Sequence, residues 1–274
     1  MKIDLHMHTT CSDGELSPEK IVLLAKQEGI KIMAITDHDE IAAYKSAKNI
    51  ADNVGITLIP GIEINTSGPN GELHILGYGI QPDHPKLVEY IAWRKNDRIV
   101  WSKQIVEKLQ QLGYKIKWRN CFERAEGGVI VRTHIAEELV ANQYFATEKQ
   151  AFETLLINGK AAFVERSAFS SLEAIQLIHL CGGKAFIAHP NLYSFPWSLE
   201  MLIEEGIDGI EAYYFTHDKK TTDYWLQQAE QHQLLVSAGS DYHGKSRKET
   251  IGSVICKTEW VIPWLESIRK VDVL

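Results

Sequence analysis

Asp4-Leu5-His6-Met7-His8, close to the start of the chain, sets two histidines two residues apart at the end of an apolar, strand-like run. Successive side chains of a strand point to opposite faces, so His6 and His8 face the same way and can grip one divalent ion. Matching ligand types recur down the chain: Asp13, Thr36-Asp37-His38-Asp39, Pro60-Gly61-Ile62-Glu63, Glu72-Leu73-His74, Ala188-His189-Pro190 and Ser240-Asp241-Tyr242-His243. Most stand at or just after apolar β-type runs, over 31–36, 56–65, 72–79, 184–189 and 234–240. Singly, each is as well explained by a turn, a cap or a satisfied core group. Gathered at the ends of successive strands they converge on one mouth of an α/β barrel, where the active sites of such folds lie. A purely structural account would need several buried polar groups, each with its own hydrogen-bond partner and no shared purpose.

These stretches, with HMHTTCSDG, AITDHD, IPGIEI, HILGY, GGKAFIAHP and SAGSDYHG in order, resemble the PHP (polymerase and histidinol phosphatase) superfamily of metal-dependent phosphoesterases. The similarity is greatest to its stand-alone branch of 3′,5′-nucleoside bisphosphate phosphatases and a 5′-to-3′ exoribonuclease. The resemblance implies an α/β fold, a distorted seven-stranded (β/α)7 barrel of PHP type with a helical insertion domain. It also implies up to three divalent metal ions, with Mn first and Fe or Zn as alternatives. Carried over position by position, His6, His8, Glu63 and Asp241 would surround one ion, Asp13, His38 and His243 a second, and Glu63, His74 and His189 a third. Such ions pool charge on a phosphoryl group and turn water into hydroxide near neutral pH. The chemistry is then expected of Asp13, His38 and His189. Asp37 flanks His38 and is expected to orient it or relay a proton, whereas Asp39 reads first as a cap for the helix that follows.

Strand–helix alternation breaks between residues 82 and 165, where the pattern is helical. The expected organisation is a first barrel part over 1–81, a helical insert acting as a substrate lid over 82–165, and a second barrel part over 166–274. Within the insert, Arg94 and Arg98 stand four apart, on one helix face, with Asn96 nearby. From spacing alone, beside Lys95 and Asp97, this is a solvated face. The resemblance implies instead that the segment contacts a substrate phosphate, which suits the bidentate guanidinium. Thr133 and His134 open another helix whose N-terminus can receive an anion; His134 is equally compatible with a metal.

Composition bounds the rest. The chain has 274 residues, 45 % of them hydrophobic, and a formal charge of −7. That charge argues against duplex DNA, which favours an extended basic face, and leaves a small nucleotide or short RNA as partner. Four cysteines without CxxC spacing, no apolar run of membrane length and a first strand starting at the N-terminus suggest a cytoplasmic enzyme. Nothing in the sequence fixes an oligomeric state. The expected reaction is removal of the 3′-phosphate from a nucleoside 3′,5′-bisphosphate by a metal-activated hydroxide. The alternatives are 5′-3′ exonucleolytic cleavage of short 5′-phosphorylated RNA, or histidinol-phosphate hydrolysis. From a different class, a non-catalytic nucleotide-binding PHP domain would be expected to have lost ligands, and a C–N hydrolase would carry a bridging lysine where this chain has Glu63.

Overall fold

A computed structural model of the chain describes residues 1–68, 71–125, 130–246 and 248–269. They divide into two compact units, Met1–Glu89 with Ala168–Leu274, and Tyr90–Ser167.

The first unit is built on seven strands in chain order: β1 (Lys2–Asp4), β2 (Ile30–Ile35), β3 (Thr57–Asn65), β4 (His74–Tyr78), β5 (Lys184–Ile187), β6 (Gly209–Tyr214) and β7 (Leu235–Gly239). All neighbours pair in parallel except β3 with β4 and β4 with β5. The ring nearly closes just past β1, where Leu5 N–H donates to the Ala238 carbonyl at 2.9 Å and His8 N–H to that of Tyr242 at 2.8 Å.

Local chemistry sets the helices outside the strands. α1 (Pro18–Gln27) starts where Ser17 Oγ accepts the Lys20 N–H, with Pro18 at its first position, and Gly29 beyond its end sits at φ +79°. α2 (Ala42–Val54) presents Ala43, Ala47 and Ala51 to the sheet. Those alanines pack with Ile21, Val22 and Ala25 of α1 against Met7, Met33, Ile35 and Leu58. Inside the barrel, Ile3, Leu5, Ile32, Ile59, Tyr78 and Phe186 pack on Trp264 and Leu265 of a late helix, Thr258–Arg269. Trp264 Nε1–H also donates to the Val236 carbonyl at 2.9 Å. This plug contacts the beginnings of the parallel strands, leaving their ends for chemistry.

The second unit carries most of a long helix, Pro85–Gln111, and then the helices Trp118–Glu123, Arg132–Ala141 and Glu148–Ala151, the last running into a π-type turn, Phe152–Leu156. Trp101, Ile105, Leu109, Ile135, Leu139 and Leu156 form its own core. Its described residues contain no strand. No described helix of the chain is long and apolar enough to cross a membrane.

Candidate metal centre

His6 and His8 leave β1, His38 follows β2, Glu63 lies within β3, His189 follows β5, and Asp241 and His243 follow β7. His74 reaches the same mouth differently: it begins β4, and because β4 runs antiparallel its first residue lies where the other strands end. Asp13 comes from a tight turn whose Gly14 lies against the His8 backbone, where a methyl group would sit 2.4 Å from the His8 carbonyl oxygen. All nine residues expected as ligands are brought together. Glu63, 1 % exposed, is their hub. Its Oε2 is 3.4 Å from His6 Nε2, 3.2 Å from His8 Nε2 and 3.1 Å from His38 Nδ1. Its Oε1 is 2.9 Å from His74 Nδ1 and 3.1 Å from His189 Nε2. Asp241 Oδ1 lies 3.2 Å and 3.1 Å from the same His6 and His8 nitrogens, and Asp13 Oδ1 lies 3.4 Å from His243 Nε2.

These spacings fit metal ligation. With metal–ligand bonds of about 2.1 Å, neighbouring donor atoms stand roughly 3.0 Å apart in an octahedron and about 3.4 Å in a tetrahedron. Among the described residues three overlapping groups qualify: His6, His8, Glu63 and Asp241; His8, Asp13, His38 and His243; His38, Glu63 and His74. Relative to the sequence-based partition, His8 joins the second group and His38 takes part in the third, while His189 touches the third through Glu63. His6 Nε2, His38 Nδ1 and Glu63 Oε2 are buried without a hydrogen-bond partner. Such orphans are costly unless an ion completes them. Imidazole and carboxylate donors without thiolate suit first-row divalent ions.

Among these side chains burial favours neutral forms and is overridden where opposite charges meet. Burial would raise the Glu63 and Asp241 carboxyls, but the histidines hold both below the usual range. Burial would likewise lower His8, yet Asp241 and Glu63 push it up to about 10. His38, its ring centroid 4.6 Å from that of His8, is pushed down to about 3, with burial the largest cause. Ligation needs neutral imidazole, so metal must displace the protons that His6 and His8 hold, and its affinity rises with pH through neutrality. Calorimetric titration of Mn²⁺ into chelator-stripped protein, in two buffers of different ionisation enthalpy, should give different heats near neutral pH. Equal heats would mean that the histidines are already neutral.

Several residues hold the candidate ligands in position. Glu211 of β6, wholly buried, accepts His6 Nδ1–H at 2.9 Å and the His189 backbone N–H at 2.7 Å, turning His6 Nε2 toward the centre. Sequence reasoning missed it, although Gly209-Ile210-Glu211 repeats the Gly61-Ile62-Glu63 tripeptide. His243 Nδ1–H donates to the Asp241 carbonyl at 2.7 Å, and Tyr214 Oη–H to Asp241 Oδ2 at 2.9 Å. A methyl group on Gly239 would lie 2.1 Å from His6 Cβ and 2.7 Å from Glu211 Oε1. We therefore expect Gly239→Ala and Glu211→Gln each to weaken metal binding about ten- to a hundred-fold with the fold retained. Unchanged metal content in both variants after dialysis against a chelator would show that the His6 ring needs neither support. Asp39, His189 and Asp241 all have positive φ, at 53°, 28° and 54°. Such backbone costs roughly 1 kcal/mol or more per residue and clusters at functional sites.

Two expectations are corrected. Asp37 does not orient His38: its oxygens accept Thr9 N–H at 2.7 Å, Thr9 Oγ1–H at 2.6 Å and Ser12 Oγ–H at 2.5 Å, which fixes the turn carrying Asp13. Asp39 does not cap α2 either. It accepts the Asn65 backbone and side-chain N–H groups, both at 3.1 Å, while Glu40 Oε1 accepts the N–H groups of Ile41 and Ala42.

In the second unit Arg94 and Arg98 are only 1 % and 2 % exposed, so their helix face is not the solvated one. The Arg94 guanidinium lies 4.8 Å from the Trp93 ring centroid, and Nη1–H reaches the Ser167 carbonyl at 3.4 Å. Asn96, two residues on, is exposed on the other side of the helix. Thr133 is exposed; His134 Nδ1 accepts the Val131 N–H at 3.3 Å, and His134 belongs to none of the three ligand groups.

A barrel mouth with overlapping imidazole–carboxylate groups is that of a metal-dependent hydrolase. The chain belongs to the PHP domain family, whose sequence model matches residues 4–164. It is 34 % identical to a 5′-3′ exoribonuclease of Haemophilus influenzae over 96 % of this chain and 97 % of that one. Identity to the 3′,5′-nucleoside bisphosphate phosphatase of Chromobacterium violaceum is 31 %, over 88 % and 87 % of the two chains. Among solved structures, a Bifidobacterium adolescentis protein assigned to the metal-dependent phosphoesterases superposes with a TM-score of 0.83, at 28 % identity and covering 95 % of this chain and 94 % of that one. In activity the chain is a hydrolytic, metal-dependent phosphoesterase.

Proposed function

We propose that the chain cleaves the bond between a ribose 3′-oxygen and phosphorus in nucleotides that carry a 5′-phosphate, with nucleoside 3′,5′-bisphosphates as the first substrate. The observation that carries this reading is Glu63, one carboxylate reached by five imidazoles from two sides. That donor set suits up to three ions, with Mn²⁺ the first candidate. When bound, such ions supply positive charge to the phosphoryl group and lower the pKa of water.

The chain's own residues do the rest. Glu211 and the Asp241 carbonyl fix the tautomers of His6 and His243. Asp13 and His38, with side chains 20 % and 14 % exposed, are the groups we assign to proton transfer at the open edge. Asp37 acts one step back, by holding the Asp13 turn. Arg94 and Arg98 are assigned to the non-reacting 5′-phosphate, because a buried guanidinium pair suits a doubly charged oxyanion. Thr133 and His134 are assigned a secondary contact with that anion at their helix N-terminus.

A second reading is favoured by the 34 % identity to an exoribonuclease over nearly both full chains. It needs no different chemistry. A nucleoside 3′,5′-bisphosphate is the one-nucleotide limit of 5′-phosphorylated RNA, with the scissile phosphorus on the same 3′-oxygen. Phosphate and nucleotide release from bisphosphates, 5′- and 3′-monophosphates, histidinol phosphate and 5′-phosphorylated oligoribonucleotides, with Mn²⁺ and with a chelator, tests both. Equal rates on substrates with and without the 5′-phosphate would overturn the assignment.

A further inference from the structure

Beside the metal centre, wholly within the first unit, lies a cavity of about 420 Å³ with Leu73, Phe195, Trp197 and Met201 among its walls and Ser67 and Glu205 among its polar groups. It adjoins the centre through one ring. Tyr193 Oη accepts the His74 backbone N–H at 3.0 Å and donates to the Ala188 carbonyl at 3.1 Å, so it is tied to the residues that carry two ligands. The Tyr193 ring centroid is 5.5 Å from that of His189, 5.6 Å from Phe195 and 5.9 Å from Trp197. Trp197 in turn stacks on Trp225 at 5.8 Å, and Trp225 meets the exposed Tyr224 at 4.9 Å. Ring contacts thus lead from His189 by way of Tyr193 to Phe195 and Trp197 in the cavity wall.

The lining holds no cation among the described residues, and it holds one carboxylate. A phosphate or another anion is therefore repelled. A flat, neutral heterocycle is not: it stacks on Phe195 or Trp197 whatever its identity, since every base has a π-face. Glu205 selects further. Its Oε2 is buried without a hydrogen-bond partner, and a carboxylate only accepts. Guanine, with its N1–H and N2–H donors side by side, answers a carboxylate better than uracil does.

We propose that this cavity is a nucleobase subsite, formed by Trp197 and Phe195 with Glu205 as the acceptor for base N–H groups, and that it favours guanine. The inference rests on the nucleotide reading above and deepens it. Its base has two sources, the nucleoside of the bisphosphate itself or the next nucleotide of a short RNA.

The test uses the full chain loaded with Mn²⁺. Substrates are guanosine and uridine 3′,5′-bisphosphates, the abasic ribose 3,5-bisphosphate, and the 5′-phosphorylated dinucleotides of G and of U. Enzymes are the wild type, Trp197→Ala and Glu205→Gln. Trp197→Ala should lower kcat/KM about ten- to a hundred-fold on base-bearing substrates and leave the abasic one unchanged, which also controls for folding. A loss on the dinucleotides alone assigns the cavity to the downstream base; an equal loss on bisphosphates and dinucleotides assigns it to the base of the hydrolysed nucleoside. Glu205→Gln should narrow the preference for G over U. Equal losses on abasic and base-bearing substrates, or none on any, overturn the proposal. Saturation-transfer NMR with free guanosine reports on the cavity without hydrolysis. Binding that vanishes in Trp197→Ala supports the subsite even if no nucleotide is cleaved, a result that would sink the nucleotide reading instead. No binding of guanosine by the wild type at millimolar concentration counts against the subsite.

Discussion

Glu63→Gln should leave a folded barrel almost without activity, with kcat down on the order of a thousand-fold or more and metal content reduced. The substitution keeps the shape and removes the charge. The amide has a single acceptor oxygen where the carboxylate offers two, and Oε1 and Oε2 each face a different set of imidazoles. Whichever way the amide turns, one set meets an NH₂ group that cannot ligate. Removing one preorganised electrostatic partner from an active site costs about a hundred- to a thousand-fold, and the loss of a carboxylate that would serve more than one ion would exceed that. Phosphate release and elemental analysis check it together. Near-normal turnover with full metal content would show that Glu63 is not the shared ligand. Circular dichroism separates this from unfolding, because the apolar core formed by Ile3, Phe186 and Trp264 lies at the other ends of the strands.

Arg94→Ala and Arg98→Ala should each reduce kcat/KM on nucleoside 3′,5′-bisphosphates about ten- to a hundred-fold while changing 3′-monophosphate hydrolysis little. A hydrogen bond to a charged group contributes about 1.5–3 kcal/mol, which sets that range. Arg94→Lys should rescue only in part, since an ammonium keeps the charge and loses the planar fork. Because both guanidinium groups are buried, truncation also disturbs packing, and the monophosphate rate is the control for that. Parallel losses on mono- and bisphosphates would remove the arginines from phosphate recognition. His134→Ala should weaken bisphosphate binding with metal content unchanged; a loss of metal would make it a ligand.

The gathering of the candidate ligands was legible because donor types recur in strand-end positions, and alternation predicts that His6 and His8 face together. The direction of β4 was not legible. Five residues, His74–Tyr78, can pair either way, and only three-dimensional closure decides. The supporting carboxylates were read through the nearest neighbour in sequence. Asp37 was matched to His38 and Asp39 to the next helix, but each bonds a group brought in by another segment, Thr9 with Ser12 and Asn65 respectively. Glu211 was passed over because no histidine stands near it in β6, and its one signal, the Gly-Ile-Glu tripeptide shared with Gly61-Ile62-Glu63, is too short to single it out. On the long helix, Lys95 and Asn96 do face solvent, and Arg94 and Arg98 share the turn but not the face. Charge content describes a segment, whereas burial belongs to one side of it.

The seam between β1 and β7 sets an order of assembly. His6 and His8 are made more than two hundred residues before the Asp241 carboxylate that they meet. A nascent chain can hold every other ligand and still lack Asp241 and His243. Contacts of such sequence separation form late, after a large loss of chain entropy. Metal that binds only the closed ring shifts this step by mass action. Metal scarcity during synthesis should therefore appear as a slowly maturing pool with an open seam, which protease would find at the two ends of the ring before its middle.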